Sequence, residues 1–237
     1  METMASPKSA PAADRKARLS RELVLATALL LVDAEGLDAL TMRRLGQKLG
    51  RDPMSLYRYA ENRAALLDGV SELVLNELPI QEDDPDWKAQ LRQIAHNLRL
   101  LALQHPNVVP LLVTRPLSTP LGLRPLGTLR PLERILSLLV GAGFTPADAL
   151  HVYRAYYGFL YGHILNELQE FVVDPEENEV LLRLGLHRLP AKEFPLLRAL
   201  APALAEYDGS AELDQGLTIL LSGLESQLSL QPAHSTA

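Results

Sequence analysis

The sequence predicts an all-α fold, on three observations. Apolar residues recur at helical spacing, as in Leu91, Ile94, Ala95, Leu98 and Leu101, which sets one stripe of a helix against a core. Helix-start signals are frequent; in Thr145-Pro146-Ala147-Asp148 a capping hydroxyl precedes a proline at the first helical position and an acid three residues after the cap. No stretch carries the period-two alternation or the turn dipeptides of a hairpin.

Taken in order, residues 1–19 are rich in Ala, Pro, Ser and Lys and lack periodicity, which predicts a disordered basic arm. Arg15, Lys16 and Arg18 could follow phosphates or enter a minor groove; a solvated tail is the equal alternative. Ser20 caps a first helix carrying Leu23, Ala26, Thr27, Leu30 and Leu31 and ending near Gly36. Thr41 caps the next, in which Leu45 and Leu49 fall one turn apart. Gly50 supplies a left-handed end, and Arg51-Asp52-Pro53 reopens helix with Asp52 as N-cap. Leu56 anchors this second short helix, leaving Met54, Ser55, Tyr57, Arg58 and Tyr59 outward. Asn62 starts a further helix running to Pro79.

Residues 41–63 carry Arg43, Arg44, Lys48, Arg51, Arg58 and Arg63 against only Asp52 and Glu61. A compact basic helix-turn-helix with outward aromatics has the makings of a DNA reader. Arginine can grip guanine with two parallel hydrogen bonds, Pro53 or Met54 can meet a thymine methyl, and Ser55 and Tyr57 can bond phosphates.

The acidic, proline-containing Gln81–Asp86 stretch reads as a linker, dividing a head at 20–78 from a larger helical domain at 86–231. That domain opens with an amphipathic helix from Trp87 to Gln104. Six prolines between Pro106 and Pro131 forbid one straight helix there; a short helix, a loop near Thr114-Arg115-Pro116, and a helix starting between Pro120 and Pro131 are expected. The Thr145 helix extends to about Phe171. An acidic segment follows, read as a mobile loop with local helix, and then helices at Lys192–Tyr207 and Ala211–Leu230. The stripe Leu213, Leu217, Leu220, Leu221, Leu224 and Leu228 is expected to bury against the Thr145 helix and their symmetry mates in a four-helix dimer interface; a core within one subunit is the alternative.

The 237 residues are 47% hydrophobic and include no cysteine, so disulfides and thiolate chemistry are out of reach. The longest largely apolar run, Leu23 to Val32, is too short to span a membrane, and the first twenty residues lack a signal-peptide core; a cytoplasmic protein with no membrane partner is expected. The net charge of −6 is unevenly spread. Residues 1–70 carry 11 basic and 9 acidic side chains, the remainder 12 and 20. A basic head on an acidic body suits a protein that meets DNA at one end.

Residues 20–68 resemble the tetracycline-repressor (TetR) family of transcriptional regulators. The likeness rests on Leu-Asp-Ala-Leu-Thr-Met-Arg-Arg-Leu-Gly-Gln-Lys-Leu-Gly, then Ser-Leu-Tyr-Arg-Tyr, then Asn-Arg-Ala-Ala-Leu-Leu-Asp. Residues 87–170 are similar to the ligand-binding domain of the tetracycline-type subgroup through Thr114-Arg115-Pro116, Gly143-Phe144, Ala147–Leu150 and the helix containing Gly162. The resemblance implies a homodimeric repressor, released from double-stranded operator DNA by a small-molecule effector. It places Arg43 against a base, Pro53 to Tyr59 in the recognition helix and Arg63 on a phosphate. With the motif's own basic residues, the expected DNA-facing set is Thr41, Arg43, Arg44, Arg51, Pro53, Met54, Ser55, Tyr57, Arg58, Tyr59 and Arg63.

The resemblance also implies where this chain departs. Tetracycline-binding members hold the drug's magnesium with a histidine three residues before Thr-Arg-Pro; here that place is Leu111. A glutamate contributed by the second subunit falls on Asn166, with Glu167 beside it. A hard cation wants oxygen ligands, so the expected effector is largely apolar and not magnesium–tetracycline, and neither metal nor cofactor is expected. The candidate pocket comprises His96, Leu111, Thr114, Tyr157, Tyr161, His163 and Asn166. Several have plainer readings: Tyr157, Tyr161 and His163 as interface residues, His96 as a satisfied core histidine, and His163 with Glu167 as a helical polar pair. A small α-helical enzyme and a protein-binding adaptor are the rival functions. Against the enzyme stands the lack of a Gly-x-Ser-x-Gly elbow, a phosphate-cradling loop or clustered histidines.

Overall fold

The computed structural model describes residues 18–82, 85–114, 120–170 and 185–227. Helices α1 (Arg21–Glu35), α2 (Met42–Leu49) and α3 (Arg63–Leu75) form the head; α4 (Trp87–Gln104), α5 (Val109–Thr114), α6 (Leu126–Gly141), α7 (Pro146–Glu170), α8 (Pro195–Ala199), α9 (Ala201–Ala205) and α10 (Gly209–Gln227) form the body. No strand occurs among the described residues. The expected basic arm, the Arg115-Pro116 part of the loop, most of the acidic segment and Leu228 lie outside them.

Side-chain caps set the helix starts. The hydroxyls of Ser20 and Thr41 accept from the amides of Leu23 and Arg44, and Asn62 and Asp86 do the same for Ala65 and Ala89. Thr145 and Asp148 exchange hydrogen bonds as a capping box. Gly50 ends α2 at φ 61°, a left-handed conformation that is strained for side chains with a Cβ. Pro131 sits within α6; it belongs to the second turn of the helix, whose start lies at Leu126, inside the window expected between Pro120 and Pro131.

In the head, Leu45, Leu56, Leu66 and Val70 are fully buried with Val24, Ala28 and Leu31 of α1. The body core is centred on Leu91, Ile94 and Leu98 of α4, Ile135 and Leu139 of α6, and Tyr156 and Leu160 of α7. Trp87 meets Phe144 edge-to-face at 5.0 Å between ring centroids, tying the start of α4 to the α6–α7 turn. Head and body share this packing, because α3 lies against α6 and α5. Two polar joints cross the same boundary. At the end of α1, His105 Nδ1 lies 2.9 Å from Asp33 Oδ2, while the Asn107 amide donates to the Val32 and Asp33 carbonyls. On α3, Glu72 accepts from Arg21 of α1 at 3.0 Å and presses against the backbone of Gly127, where a Cβ would collide with its carboxylate.

The leucine stripe divides. Leu213, Leu217 and Leu221 are fully buried inside the subunit against α4 and α7, which answers to the one-subunit alternative; Leu220 and Leu224 are half-buried. The polar edge of the same contact pairs Lys88 with Glu225 and His96 with Asp214, each at 2.8 Å. Instead of one helix over Lys192–Tyr207, a turn at 191–193 leads into the short α8 and α9.

Candidate DNA interface and effector cavity

The helix-turn-helix presents its side chains unequally. Arg43, Lys48, Met54, Tyr57 and Arg58 are exposed, Met54 most of all at 72%. The second helix is a short 3-10 segment, Pro53–Leu56, held by Asp52, whose carboxylate accepts from the Met54 amide. Its tightness follows from the chain: Gly46 is buried directly under the turn, and a Cβ there would stand 2.9 Å from the Arg51 carbonyl oxygen and 3.2 Å from Pro53. Ser55 donates to the Asp52 carbonyl, so its proton is spent locally and its oxygen is left as an acceptor.

Four of the DNA-facing expectations need physical correction or narrowing. Tyr59 is not outward: it is half-buried and its hydroxyl donates to the Leu19 carbonyl at 2.7 Å, fastening the start of α1 to the recognition segment. Arg63 donates to the Leu40 and Leu37 carbonyls at 2.8 and 2.7 Å, bracing the turn before α2. Arg44 forms a two-pronged pair with Glu35, so it meets any phosphate as half of a neutral couple. Thr41 spends its oxygen capping α2. Arg51 is half-buried, and Arg58 stacks over the Tyr59 ring at 4.8 Å.

Above the head, a cavity of about 130 Å³ lies between α3, α5, α6 and α7. Its walls are Asp68, Ser71 and Leu75 from α3; Leu111 and Leu112 from α5; Arg124, Pro125, Thr128, Leu129 and Leu132 at and within the start of α6; and Tyr153 and Tyr161 from α7. A cavity near this size holds a single aromatic ring, so a larger occupant must move a wall. Two of the expected pocket residues, Leu111 and Tyr161, are in the lining. Tyr157 stands just behind, its ring 4.7 Å from Tyr153 and 5.3 Å from Tyr161. Burial raises the phenol pKa of Tyr153, Tyr156, Tyr157 and Tyr161 above the ordinary value, keeping them neutral; for Tyr153 the charge of Arg124 pulls the other way.

The other expected pocket residues lie elsewhere. His96 pairs with Asp214 at the α4–α10 edge. Thr114 is exposed and donates to the Pro110 carbonyl. Asn166 is exposed on α7. His163 Nε2 lies 2.9 Å from the Gly209 carbonyl and 3.7 Å from Glu167. Glu167 itself is 2% exposed and takes two hydrogen bonds from Arg99, one of 2.8 Å; that bonding raises the Arg99 pKa. Among the described residues no group of three or more His, Asp or Glu is placed to hold a metal, and no helix is long and apolar enough to cross a membrane.

Sequence reasoning missed Asp68, Ser71, Arg124, Thr128, Leu129, Leu132 and Tyr153 as cavity residues. Tyr153 shares a helical face with Tyr157 and Tyr161, a signal that was available. The α3 residues gave none, because a head helix becomes a cavity wall only through its packing on α6.

An all-α chain with a helix-turn-helix at one end and a cavity seated between that end and a helical body has the organisation of a ligand-responsive, DNA-binding transcriptional regulator. Residues 78–228 match the family described as tetracyclin repressor-like, C-terminal domain. The chain is 30% identical over 222 residues to the tetracycline repressor protein class D of Escherichia coli, covering 90% of this chain and 92% of that one. It is 26% identical over 223 residues to the transcriptional repressor DrrR1 of Streptomyces coeruleorubidus, covering 91% and 80%. Its fold is similar to that of the TetR family protein ActR of Streptomyces coelicolor in complex with actinorhodin, with a TM-score of 0.71, 32% identity and coverage of 89% and 98%. The chain belongs to the tetracycline-repressor family of transcriptional regulators.

Proposed function

We propose that this protein is a cytoplasmic, homodimeric repressor that holds operator DNA through α2 and the Pro53–Leu56 segment, and that a small, largely apolar effector in the α3–α5–α6–α7 cavity releases it. The observation that carries this reading is the position of the cavity: α3 is at once its wall and the last helix of the head. An effector that prefers one spacing between α3 and α6 therefore shifts the head, and only such a differential preference can couple the two sites. Leu111 presents an apolar wall where a metal–drug complex would need an oxygen or nitrogen ligand, which argues against magnesium–tetracycline. ActR, a relative, has been crystallised with actinorhodin and with (S)-DNPA, and a further relative from Acinetobacter baumannii with minocycline; effector choice therefore varies on this fold.

The division of labour on DNA gives the test. Arg43 and Tyr57 are exposed and free of any structural duty in the printed geometry of the head. Arg43→Ala and Tyr57→Ala are expected to weaken a gel shift with the protein's own upstream DNA by about tenfold or more each, the loss of one good contact, with helical content unchanged by circular dichroism. Full-strength shifts in both variants would remove this surface from the interface.

Dimerisation is supported by what the subunit leaves uncovered. Along α7, His151, Arg154, Gly158, Gly162 and Asn166 face outward, and along α10 so do Ile219, Ser222 and Gly223; a Cβ at Gly158, Gly162 or Gly223 would meet nothing. Small residues on two neighbouring helices let a symmetry mate approach closely. Leu196, Leu197, Leu200 and Leu204 on α8 and α9 add a large exposed apolar surface, of the kind that marks an interaction site. Sedimentation at micromolar concentration is expected to give twice the 26.1 kDa chain mass. Ile219→Glu should shift that toward the monomer, and a wild type that sediments as a monomer at every concentration would overturn the reading.

A further inference from the structure

The cavity's hydrogen-bonding groups are sorted by wall. On the α3 side, the Asp68 carboxylate can only accept. Ser71 is buried and spends its proton on the Leu67 carbonyl at 3.1 Å, so its oxygen faces the cavity as an acceptor too. The opposite elements supply donors: the Arg124 guanidinium at the start of α6, and the Tyr153 and Tyr161 phenols of α7. Between them lie Leu75, Leu111, Leu112, Leu129 and Leu132, which give affinity for a ring but no direction.

We propose that the DNA-binding head itself reads the effector, with Asp68 and Ser71 on α3 selecting a ligand whose α3-facing edge carries a hydrogen-bond donor, most strongly an ammonium group. This rests on the cavity being the effector site. An ionised carboxylate has room for about four donors, so contacts that Asp68 makes to protein leave capacity for one from a ligand. In a cavity bounded by leucine, a donor matched to that carboxylate is held through a charge-assisted bond, and an acceptor in the same place leaves both groups unsatisfied. The opposite edge of the ligand faces Arg124 and neutral phenols, which favour carbonyl or ether oxygen. A ligand of this polarity has one orientation in the cavity, with its donor group on the helix that carries the recognition segment.

The test uses two one-ring probes matched in size, phenethylamine, which offers an ammonium donor, and (2-methoxyethyl)benzene, which only accepts. Their affinities are measured by ligand-observed NMR on full-length wild type, Asp68→Asn, Ser71→Ala and Leu129→Phe. Wild type is expected to prefer the amine by about ten- to a hundredfold, the range for a hydrogen bond to a charged group. Asp68→Asn should bring that ratio to within about threefold, and Ser71→Ala should lower it by a smaller factor. Leu129→Phe, which fills the space, should weaken both probes together. If wild type does not discriminate, or if the preference survives both Asp68→Asn and Ser71→Ala, the reading of α3 is overturned while the cavity stands. If Leu129→Phe leaves both affinities unchanged, the probes bind elsewhere and the cavity reading falls with it. Should Asp68→Asn fail to fold, Ser71→Ala alone decides: an unchanged ratio overturns the proposal.

Discussion

Glu167→Gln is expected to lower the melting temperature by on the order of 10 °C. The glutamate is almost wholly buried where α4, α7 and α10 meet, and Arg99, at 14% exposure, has its guanidinium locked onto both carboxylate oxygens. Glutamine keeps the size and one acceptor but removes the charge, leaving a mostly buried guanidinium uncompensated. Breaking one half of a buried pair costs about 3–5 kcal/mol; the residual exposure of Arg99 argues for the lower end. In a protein of this length each kcal/mol corresponds to about 2–4 °C. Gly209 sharpens the expectation, since it opens α10 so close to Glu167 that a Cβ would fall on the carboxylate; no larger residue at 167 has room to relax. The double variant Arg99→Met with Glu167→Leu should melt nearer to wild type than either single change, because it removes both desolvated charges at once. A Glu167→Gln protein melting within about 2 °C of wild type would mean that Arg99 escapes to solvent and that the pair does not hold the junction.

The same pair shows what one sequence can and cannot disclose. Helix starts were legible because caps are local: Ser20, Thr41, Asp52 and Thr145 each act within three residues of themselves, and their chemistry is written beside them. The motif around Leu45, Gly50 and Leu56 was legible for the same reason. Arg99 and Glu167 are 68 residues apart, and nothing near either one announces the other. Glu167 was read beside His163 as a polar pair on one helix; the structure places them 3.7 Å apart and gives the glutamate's strong bonds to α4 instead. The cavity fails to be legible in the same way. Leu111 and Tyr161 came through the resemblance, but Asp68 and Ser71 lie inside a motif whose function seemed already spent on DNA. Tyr59 and Arg63 are the converse: their residue types suit DNA, yet tertiary contacts to Leu19, Leu37 and Leu40 engage them in building the head that Arg43 and Tyr57 project from.

Gly46→Val is expected to reduce operator affinity on the order of a hundredfold while leaving the body folded. Gly46 is buried on α2 with the Arg51 carbonyl, the Pro53 nitrogen and the Pro53 ring all within 3.2 Å of where a Cβ would stand. Two of those neighbours are backbone, so they cannot swing aside as a long side chain would. A branched side chain must push the 51–53 turn away from α2, carrying Met54, Tyr57 and Arg58 with it. Base contacts depend on bidentate geometry, each good pair contributing about 1–3 kcal/mol, and displacing the segment sacrifices more than one. The cavity walls begin at Asp68, on a helix capped independently by Asn62, so binding of phenethylamine should persist in Gly46→Val. That separation is the informative result. Loss of DNA binding with probe binding retained would locate the fault in the reading turn, as proposed; loss of both would mean that α2 and the cavity wall fold as one unit, and retention of both would show that the tight α2–turn contact is not needed to present the recognition segment.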